Sequence, residues 1–247
     1  MKYLILSDLH SNTEALEAVL GDARRRGFDR VACMGDLVGY GAEPNAVVER
    51  VRGLDHAAVI RGNHDKVAGG LESGDQFNFV AGLAARWTQS ALGSDNLSYL
   101  RSLPRGPLVV DGAFWLAHGT PLDEDAYILN DFDALEAFNG FPEDLCFFGH
   151  SHIPTIFSLS DDEGLVLQAP VADEARLALK PGVRYLINPG SVGQPRDRNP
   201  KAAYAVYDAA TRMLDLYRVG YDIEAAQRKI LAANLPHFLA DRLRLGA

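Results

Sequence analysis

Cysteine, basic charge and long apolar runs are all scarce in this chain of 247 residues. The two cysteines, Cys33 and Cys146, lie in apolar strand-like runs, so we expect buried free thiols rather than a disulfide or a metal pair. A net charge of -9 argues against general attraction to nucleic acid or anionic membranes, and neither is an expected partner. No apolar stretch approaches a membrane span, and the run at residues 3–6 is too short for a signal-peptide core. These absences predict a soluble cytoplasmic protein.

Hydrophobic residues make up 47% of the sequence, which is ample for a continuous core. Apolar runs at residues 2–6, 30–34 and 57–60 alternate with amphipathic segments, which predicts three strand–helix repeats. Residues 67–103 are helical in pattern and form an insertion or cap, which either covers the sheet or serves as a substrate lid. Short strands then dominate, and a final helix at residues 223–233 precedes a short tail. We predict one α/β domain over residues 1–247, with two sheets packed face to face and helices outside.

Polar side chains follow the apolar runs at several predicted strand ends, and they include five of the seven histidines. The residues are Asp8, His10, Asp36, Asn63, His64, His118, His150 and His152. Because strand ends converge on one edge of an α/β sheet, we expect these side chains to share a cleft. Imidazole nitrogens with carboxylate and amide oxygens suit borderline divalent metals such as Mn, Fe, Co, Ni or Zn. A shared carboxylate suits a pair of such ions.

The order of these motifs resembles that of the calcineurin-like metallophosphoesterase superfamily. The motifs are Asp-x-His at 8–10, Gly-Asp at 35–36, Gly-Asn-His-Asp at 62–65, His-Gly at 118–119 and Gly-His-Ser-His at 149–152. The segments at 35–41 and 188–196 are similar to the small prokaryotic phosphodiesterase branch. Protein serine/threonine phosphatases and diadenosine tetraphosphatases carry Asp-Arg-Gly after Gly-Asp, and a Glu closes their Gly-Asn-His motif. Tyr40 and Asp65 stand in that neighbourhood here, so the phosphate-binding arginine of those enzymes is missing.

This resemblance implies a four-layer α/β/β/α sandwich of two mixed sheets, with two divalent metal ions in one site. It assigns Asp8, His10 and His152 to the first metal, Asn63, His118 and His150 to the second, and Asp36 to both. The implied reaction is in-line attack of a metal-bridging hydroxide on a phosphodiester or another small phosphorylated substrate. His64, beside a ligand but not itself one, is expected to be the general acid that protonates the leaving group.

Several neighbouring residues keep two interpretations at this stage. Asp65 either orients His64 or caps the following helix. Arg196 and Arg198 either bind a substrate phosphate or lie in solvent, and Tyr40 either stacks on a leaving group or packs in the core. Residues 188–191 are expected to shape the cleft wall. His56 and His237 are expected to be structural or exposed.

Two other function classes remain as alternatives. Retromer-subunit relatives share the implied fold and act as scaffolds in protein assemblies, but their site residues are altered, whereas every ligand position is filled here. Double-strand-break repair nucleases also belong to the superfamily, but the acidic composition of this chain argues against a nuclease.

Overall fold

Two six-stranded mixed sheets form the centre of the structure, a computed structural model that describes residues 1–168 and 173–247. The strands are β1 (Lys2–Leu6), β2 (Arg30–Cys33), β3 (Ala57–Val59), β4 (Leu108–Val110), β5 (Phe114–Leu116), β6 (Leu145–Phe147), β7 (Thr155–Ser160), β8 (Gly164–Gln168), β9 (Glu174–Ala178), β10 (Arg184–Asn188), β11 (Ala202–Asp208) and β12 (Met213–Val219). The helices are α1 (Thr13–Arg26), α2 (Pro44–Arg52), α3 (Asn63–Ala68), α4 (Phe79–Ala91), α5 (Ser94–Ser102), α6 (Asp131–Gly140), α7 (Ile223–Ala232) and α8 (His237–Leu245).

Parallel pairing within each sheet directs several strand ends to one edge. The first sheet has the order β3-β2-β1-β11-β12-β9, and its first three strands run parallel. The second has the order β4-β5-β6-β10-β7-β8, with β5 and β6 parallel. The loops that follow β1, β2, β3, β5 and β6 therefore leave from carboxyl ends, where α/β folds place their ligands.

Apolar side chains separate the structure into four layers. On β1, Leu4 and Leu6 pack toward the helices, whereas Tyr3 and Ile5 face the second sheet. A strand buried on both faces requires the continuous apolar run that the sequence shows. Phe138 of α6 belongs to a further apolar cluster on the outer face of the second sheet. The predicted α/β/β/α sandwich is confirmed, and both cysteines are free and buried.

Three elements differ from the sequence interpretation. The tail contains helix α8, and both helix α6 and the edge strand β9 were not predicted. The first strand–helix repeat is present, and its strand β1 spans the predicted residues 2–6. The side chain of Asn12 caps α1 by accepting from the backbone N–H of Ala15, and Gly27 ends the helix at a φ of 84°.

The helical segment at residues 67–103 divides between two positions. Leu100 of α5 packs into the helix-side core of the first sheet. Ala81 and Ala84 of α4 pack with Tyr40 and with Leu239 of α8. Part of the segment therefore covers the sheet, and the part around α4 stands beside the strand-end loops. Among the described residues, no helix is long and apolar enough to cross a membrane.

Candidate metal centre

Loops after five strands bring the seven predicted ligands together in two buried clusters. One cluster contains Asp8, His10, Asp36 and His152, and the other contains Asp36, His118 and His150. Within each cluster the candidate ligand atoms lie within 4.8 Å of one another, and Asp36 belongs to both. The Oδ1 atom of Asn63 lies 3.0 Å from the Nε2 atom of His118, which adds an amide oxygen to the second cluster.

The backbone at these positions is unusual for residues with side chains. Five predicted ligands have positive φ angles, namely Asp8 (54°), His10 (47°), Asp36 (51°), His150 (65°) and His152 (61°). This left-handed region costs a non-glycine residue free energy, and such residues concentrate at functional sites. These turns place the five ligand positions in the loops directly after β1, β2 and β6.

Gly62 allows the loop after β2 and the loop after β3 to lie in contact. A Cβ atom on Gly62 would lie 2.2 Å from the Oδ1 atom of Asp36, which is far inside van der Waals contact. The same Oδ1 atom accepts a hydrogen bond from the backbone N–H of His64 at 2.8 Å. Glycine at this position therefore lets the shared carboxylate reach the centre of the site.

His10 and His152 face each other through the lone pairs of their Nε2 atoms. Their Nδ1 atoms lie 3.0 and 2.7 Å from the carbonyl oxygens of Val38 and Gln194. A carbonyl only accepts, so each Nδ1 carries the proton and each Nε2 has a lone pair. Burial holds the pKa of both rings well below the usual value, so both are neutral. The two Nε2 atoms are only 3.0 Å apart. Two facing lone pairs in a buried site are the arrangement that a divalent cation would stabilise.

His118 and Asp36 form the charged centre of the second cluster. Burial disfavours the charged forms of both side chains, yet the negative charge of Asp36 raises the pKa of His118 to about 10. In turn, the imidazoles of His118 and His64 outweigh burial and hold the pKa of Asp36 well below its usual value. The Nδ1 atom of His118 donates to the carbonyl of Met34 at 2.7 Å, so its Nε2 faces Asp36. A cation bound there would replace the proton on Nε2, and the donor set fits a borderline divalent metal.

His150 is held by a different part of the chain from the other ligands. Its Nε2 atom lies 3.2 Å from the backbone carbonyl of Asp125, so Nε2 carries the proton and Nδ1 is the atom left to bind a metal. The ring of Tyr127 stacks on it at 3.9 Å and 19°. Burial lowers the pKa of His150 to about 3, so the ring is neutral.

His64 lies beside the ligands among aromatic rings. Its ring centroid lies 4.3 Å from that of Tyr40 and 4.6 Å from that of Phe77. Burial lowers its pKa to about 4. Among the described residues its Nδ1 atom has no hydrogen-bond partner, and a Cβ atom on Gly39 would lie 2.5 Å from that atom.

Asp65 contacts the backbone rather than His64. Its Oδ2 atom accepts from the N–H of Gly62 at 3.0 Å, and its Oδ1 atom accepts from the N–H of Val38 at 3.2 Å. This geometry favours the helix-cap interpretation and also ties α3 to the loop after β2.

Residues 188–191 brace the ligand loops from behind instead of lining the cleft. The amide of Asn188 donates to the carbonyl of Gly149 at 2.8 Å, and the hydroxyl of Ser191 donates to the carbonyl of Asp8 at 2.8 Å. The expectation that this segment shapes the cleft wall is wrong, because its polar atoms are buried against the loops that carry Asp8 and His150.

A cleft of about 110 Å³ opens above the two clusters. Tyr40, Phe77, Tyr127 and Arg196 line it, together with His64 and several of the predicted ligands. Phe77 and Tyr127 were not predicted from the sequence, because an aromatic residue in a loop gives no signal of its partner. The two arginines lie in different surroundings, since Arg196 is in the cleft wall and Arg198 is exposed. His56 and His237 are also exposed.

The comparisons with known proteins agree with this geometry. A model of the calcineurin-like phosphoesterase superfamily domain matches residues 1–212. The chain belongs to this superfamily. It is 41% identical to the uncharacterized protein MJ0912 of Methanocaldococcus jannaschii, covering 98% of this chain and 97% of that protein.

Two solved structures have the same fold as this chain. A metallophosphoesterase from Sphaerobacter thermophilus superposes with a TM-score of 0.86 at 40% identity, covering 100% of this chain and 99% of the other. The hypothetical protein PH1004 from Pyrococcus horikoshii gives a TM-score of 0.78 at 21% identity, covering 100% and 98%, which shows the fold alone. Family membership and the buried His/Asp clusters together support a metal-dependent phosphoesterase.

Proposed function

We propose that this protein is a di-metal phosphoesterase that hydrolyses phosphodiesters or other small organic phosphates. The observation that carries the proposal is the pair of buried clusters sharing Asp36 at the base of a cleft. In this proposal Asp8, His10 and His152 hold the first ion, and Asn63, His118 and His150 hold the second. When bound, two such ions would acidify a water molecule and neutralise charge on the phosphoryl oxygens.

The primary test is metal-dependent hydrolysis by the purified protein. The metal-free protein, reconstituted with Mn²⁺ and then with each of Fe²⁺, Co²⁺, Ni²⁺ and Zn²⁺, is offered bis-p-nitrophenyl phosphate. A second panel covers cyclic nucleotides, linear diesters, monoesters and dinucleotide polyphosphates. We expect turnover that disappears on chelation. Absence of turnover with every metal and substrate, despite bound metal, would favour the scaffold alternative.

His64 is proposed as the general acid for the leaving group. It lines the cleft beside Asn63, and its backbone N–H is already bonded to Asp36, which fixes its position. Although burial lowers its pKa to about 4, an anionic phosphate bound beside the ring favours the protonated form. The ring then donates its proton to the departing alkoxide.

Replacement of His64 by asparagine tests this role through the leaving group. We expect the His64→Asn variant to lose roughly 100-fold or more in kcat on diesters with alkoxide leaving groups. Its loss on nitrophenyl esters is expected to be much smaller, because nitrophenolate leaves without a proton. Metal content, measured by elemental analysis, stays at the wild-type value. An equal loss on both substrate types would contradict the assignment.

Arg196 is proposed to bind a substrate phosphate oxygen. Its guanidinium lies 5.6 Å from the ring centroid of Tyr40, and Nη2 donates to Gln194 at 3.0 Å. Its Nε atom is buried and, within the described parts of the chain, has no hydrogen-bond partner. A phosphate in the cleft would supply the missing acceptor, and a charge-assisted hydrogen bond of this kind is strong.

Arg198 provides the matched control for Arg196. It lies two residues further along the same loop, is exposed, and donates its backbone N–H to the carbonyl of Gly246 at 2.7 Å. We expect Arg196→Met to raise KM roughly tenfold, in line with the loss of a hydrogen bond to a charged group, and Arg198→Met to leave KM unchanged. Equal effects of the two substitutions would show that general surface charge, not the cleft arginine, attracts the substrate.

A further inference from the structure

Lys66 is a buried lysine one turn away from a predicted metal ligand. It follows Asn63 on the short helix α3, and its side chain is only 1% exposed. The Nζ atom lies 2.6 Å from Asp125, 2.9 Å from Glu72 and 3.2 Å from Glu124. These three carboxylates are close enough to suggest a third cation site, but the ammonium of Lys66 already lies among them.

One of the carboxylate residues that bind Lys66 also contacts His150. Asp125 places its side chain on Lys66 and its backbone carbonyl on the Nε2 atom of His150, at 3.2 Å. Its neighbour Glu124 accepts two hydrogen bonds from Arg61, at 3.1 and 2.9 Å, so the same loop is attached a second time to the chain just before α3. Residues 119–127 are called here the His150 support loop. They are bonded to α3 through Lys66 and to the chain before α3 through Arg61.

We propose that Lys66 is a positioning residue for the second metal site, an inference that rests on the proposed di-metal function. The lysine fixes the distance between α3, which carries Asn63, and the His150 support loop, which fixes the ring of His150. Groups that orient a ligating histidine commonly control metal affinity by 10- to 100-fold, although they never touch the ion. A lysine that must lose its hydration to reach this position is costly to bury, and close paired charges offset that cost only while the geometry is maintained.

Lys229 shows what a purely structural lysine looks like in the same fold. It also pairs with two carboxylates, those of Glu14 and Glu43, and so joins α7 to the start of α1 and to the loop before α2. Neither of these partners donates to or accepts from a predicted ligand in the hydrogen bonds of the described residues. Lys66 differs because one of its partners, Asp125, contacts a ligand ring.

Asp125 and Glu72 make a matched pair for the experiment. Both side chains bind the ammonium of Lys66, and their exposures are 40% and 41%. Of these two residues, Asp125 alone also contacts His150, through its backbone carbonyl. Because both side chains are partly exposed, Asp125→Ala and Glu72→Ala carry less folding risk than Lys66→Met, which replaces the buried ammonium that all three carboxylates contact.

The measurement is the affinity of the two sites for Mn²⁺ alone, by equilibrium dialysis and elemental analysis, on wild type, Lys66→Met, Asp125→Ala, Glu72→Ala and Lys229→Met. We expect Lys66→Met and Asp125→Ala to weaken the second Mn²⁺ by roughly tenfold or more while the first keeps its affinity. Glu72→Ala and Lys229→Met are expected to keep both affinities. Thermal unfolding of the metal-free proteins runs in parallel, because a merely structural role lowers the melting temperature without separating the two sites.

The outcomes separate this inference from the proposed function. Wild-type protein that binds fewer than two Mn²⁺ ions would overturn both. Two ions in wild type with an unchanged second affinity in Asp125→Ala and Lys66→Met would overturn the Lys66 inference alone. Equal weakening in Asp125→Ala and Glu72→Ala would also overturn it, since charge around the ammonium would then matter rather than the connection to His150.

Discussion

The two clusters of the candidate metal centre are held in different ways. The first half is the cluster with His10 and His152, and the second half is the cluster with His118 and His150. In the first half, the rings of His10 and His152 donate to the carbonyls of Val38 and Gln194, both in buried loops. In the second half, His118 is held by the buried carbonyl of Met34, but His150 depends on Asp125 and Tyr127. Tyr127 is 45% exposed as a residue, and the Asp125 side chain is 40% exposed.

The ligands of this candidate centre are therefore not equally preorganised. Orientation by a packed backbone carbonyl persists as long as the core does, whereas orientation through an exposed loop fails whenever that loop opens. We therefore expect the first half to hold its ion more tightly than the second, with Asp36 linking the two.

Removing the carboxylate of Asp36 should have the largest effect, because both halves contain it. Asp36→Asn deletes the one negative charge that both clusters contain, and we expect the affinity of both sites for Mn²⁺ to fall by more than roughly 100-fold. Turnover should fall with it. Metal content after dialysis and the rate on bis-p-nitrophenyl phosphate are the measurements. A variant that still held one ion at wild-type affinity would contradict the shared position of Asp36.

Removing one histidine from each half should have an intermediate effect that differs between the halves. We expect His150→Ala to retain one tightly bound Mn²⁺, and His152→Ala to retain one that a chelator removes more readily. Chelator titration followed by elemental analysis distinguishes the two. His56→Ala is the control, since His56 is exposed and belongs to neither cluster. The reverse order of retention would show that the exposed loop does not weaken its half.

The stacking of Tyr127 on His150 should have the smallest effect. Loss of an aromatic contact costs about 0.5–1.5 kcal/mol, so we expect Tyr127→Ala to weaken the second Mn²⁺ by roughly threefold to tenfold. Tyr127→Phe keeps the ring and should restore the affinity, because the hydroxyl takes no part in the stacking. Isothermal titration of the metal-free proteins with Mn²⁺ measures both. A failure of phenylalanine to restore binding would mean that the hydroxyl, not the ring, supports the site.

Much of the fold could be predicted because its signals are local. Strand β1 is a continuous apolar run, and α1 has both a capping Asn12 and a terminating Gly27. Helix α6 also had a signal, since Asn130 precedes it and accepts from two backbone N–H groups, so this omission was avoidable. Strand β9 had little, because an edge strand that reads Glu-Ala-Arg-Leu-Ala lacks the β-branched residues that mark a strand.

The candidate site divides in the same way between side chains and backbone. Aspartates and histidines after apolar runs are visible in the sequence, and their convergence follows from parallel strands. The groups that orient them are mostly carbonyls, those of Met34, Val38, Asp125 and Gln194, and a carbonyl is present at every residue. The role of Lys66 could not be predicted either, because a lysine on a short polar helix is expected to be solvated until its burial is known.

The left-handed backbone at Asp8, His10, Asp36, His150 and His152 opposes the stability of the fold. Each residue pays about 1 kcal/mol or more for a conformation that glycine would adopt without strain. Glycine at these turns would remove the backbone strain, but it would also remove buried partners such as the Asp36 carboxylate, which accepts from the backbone N–H of His64. The strained backbone therefore lies at the turns that carry five of the proposed ligands, so the candidate site is built at a cost in fold stability.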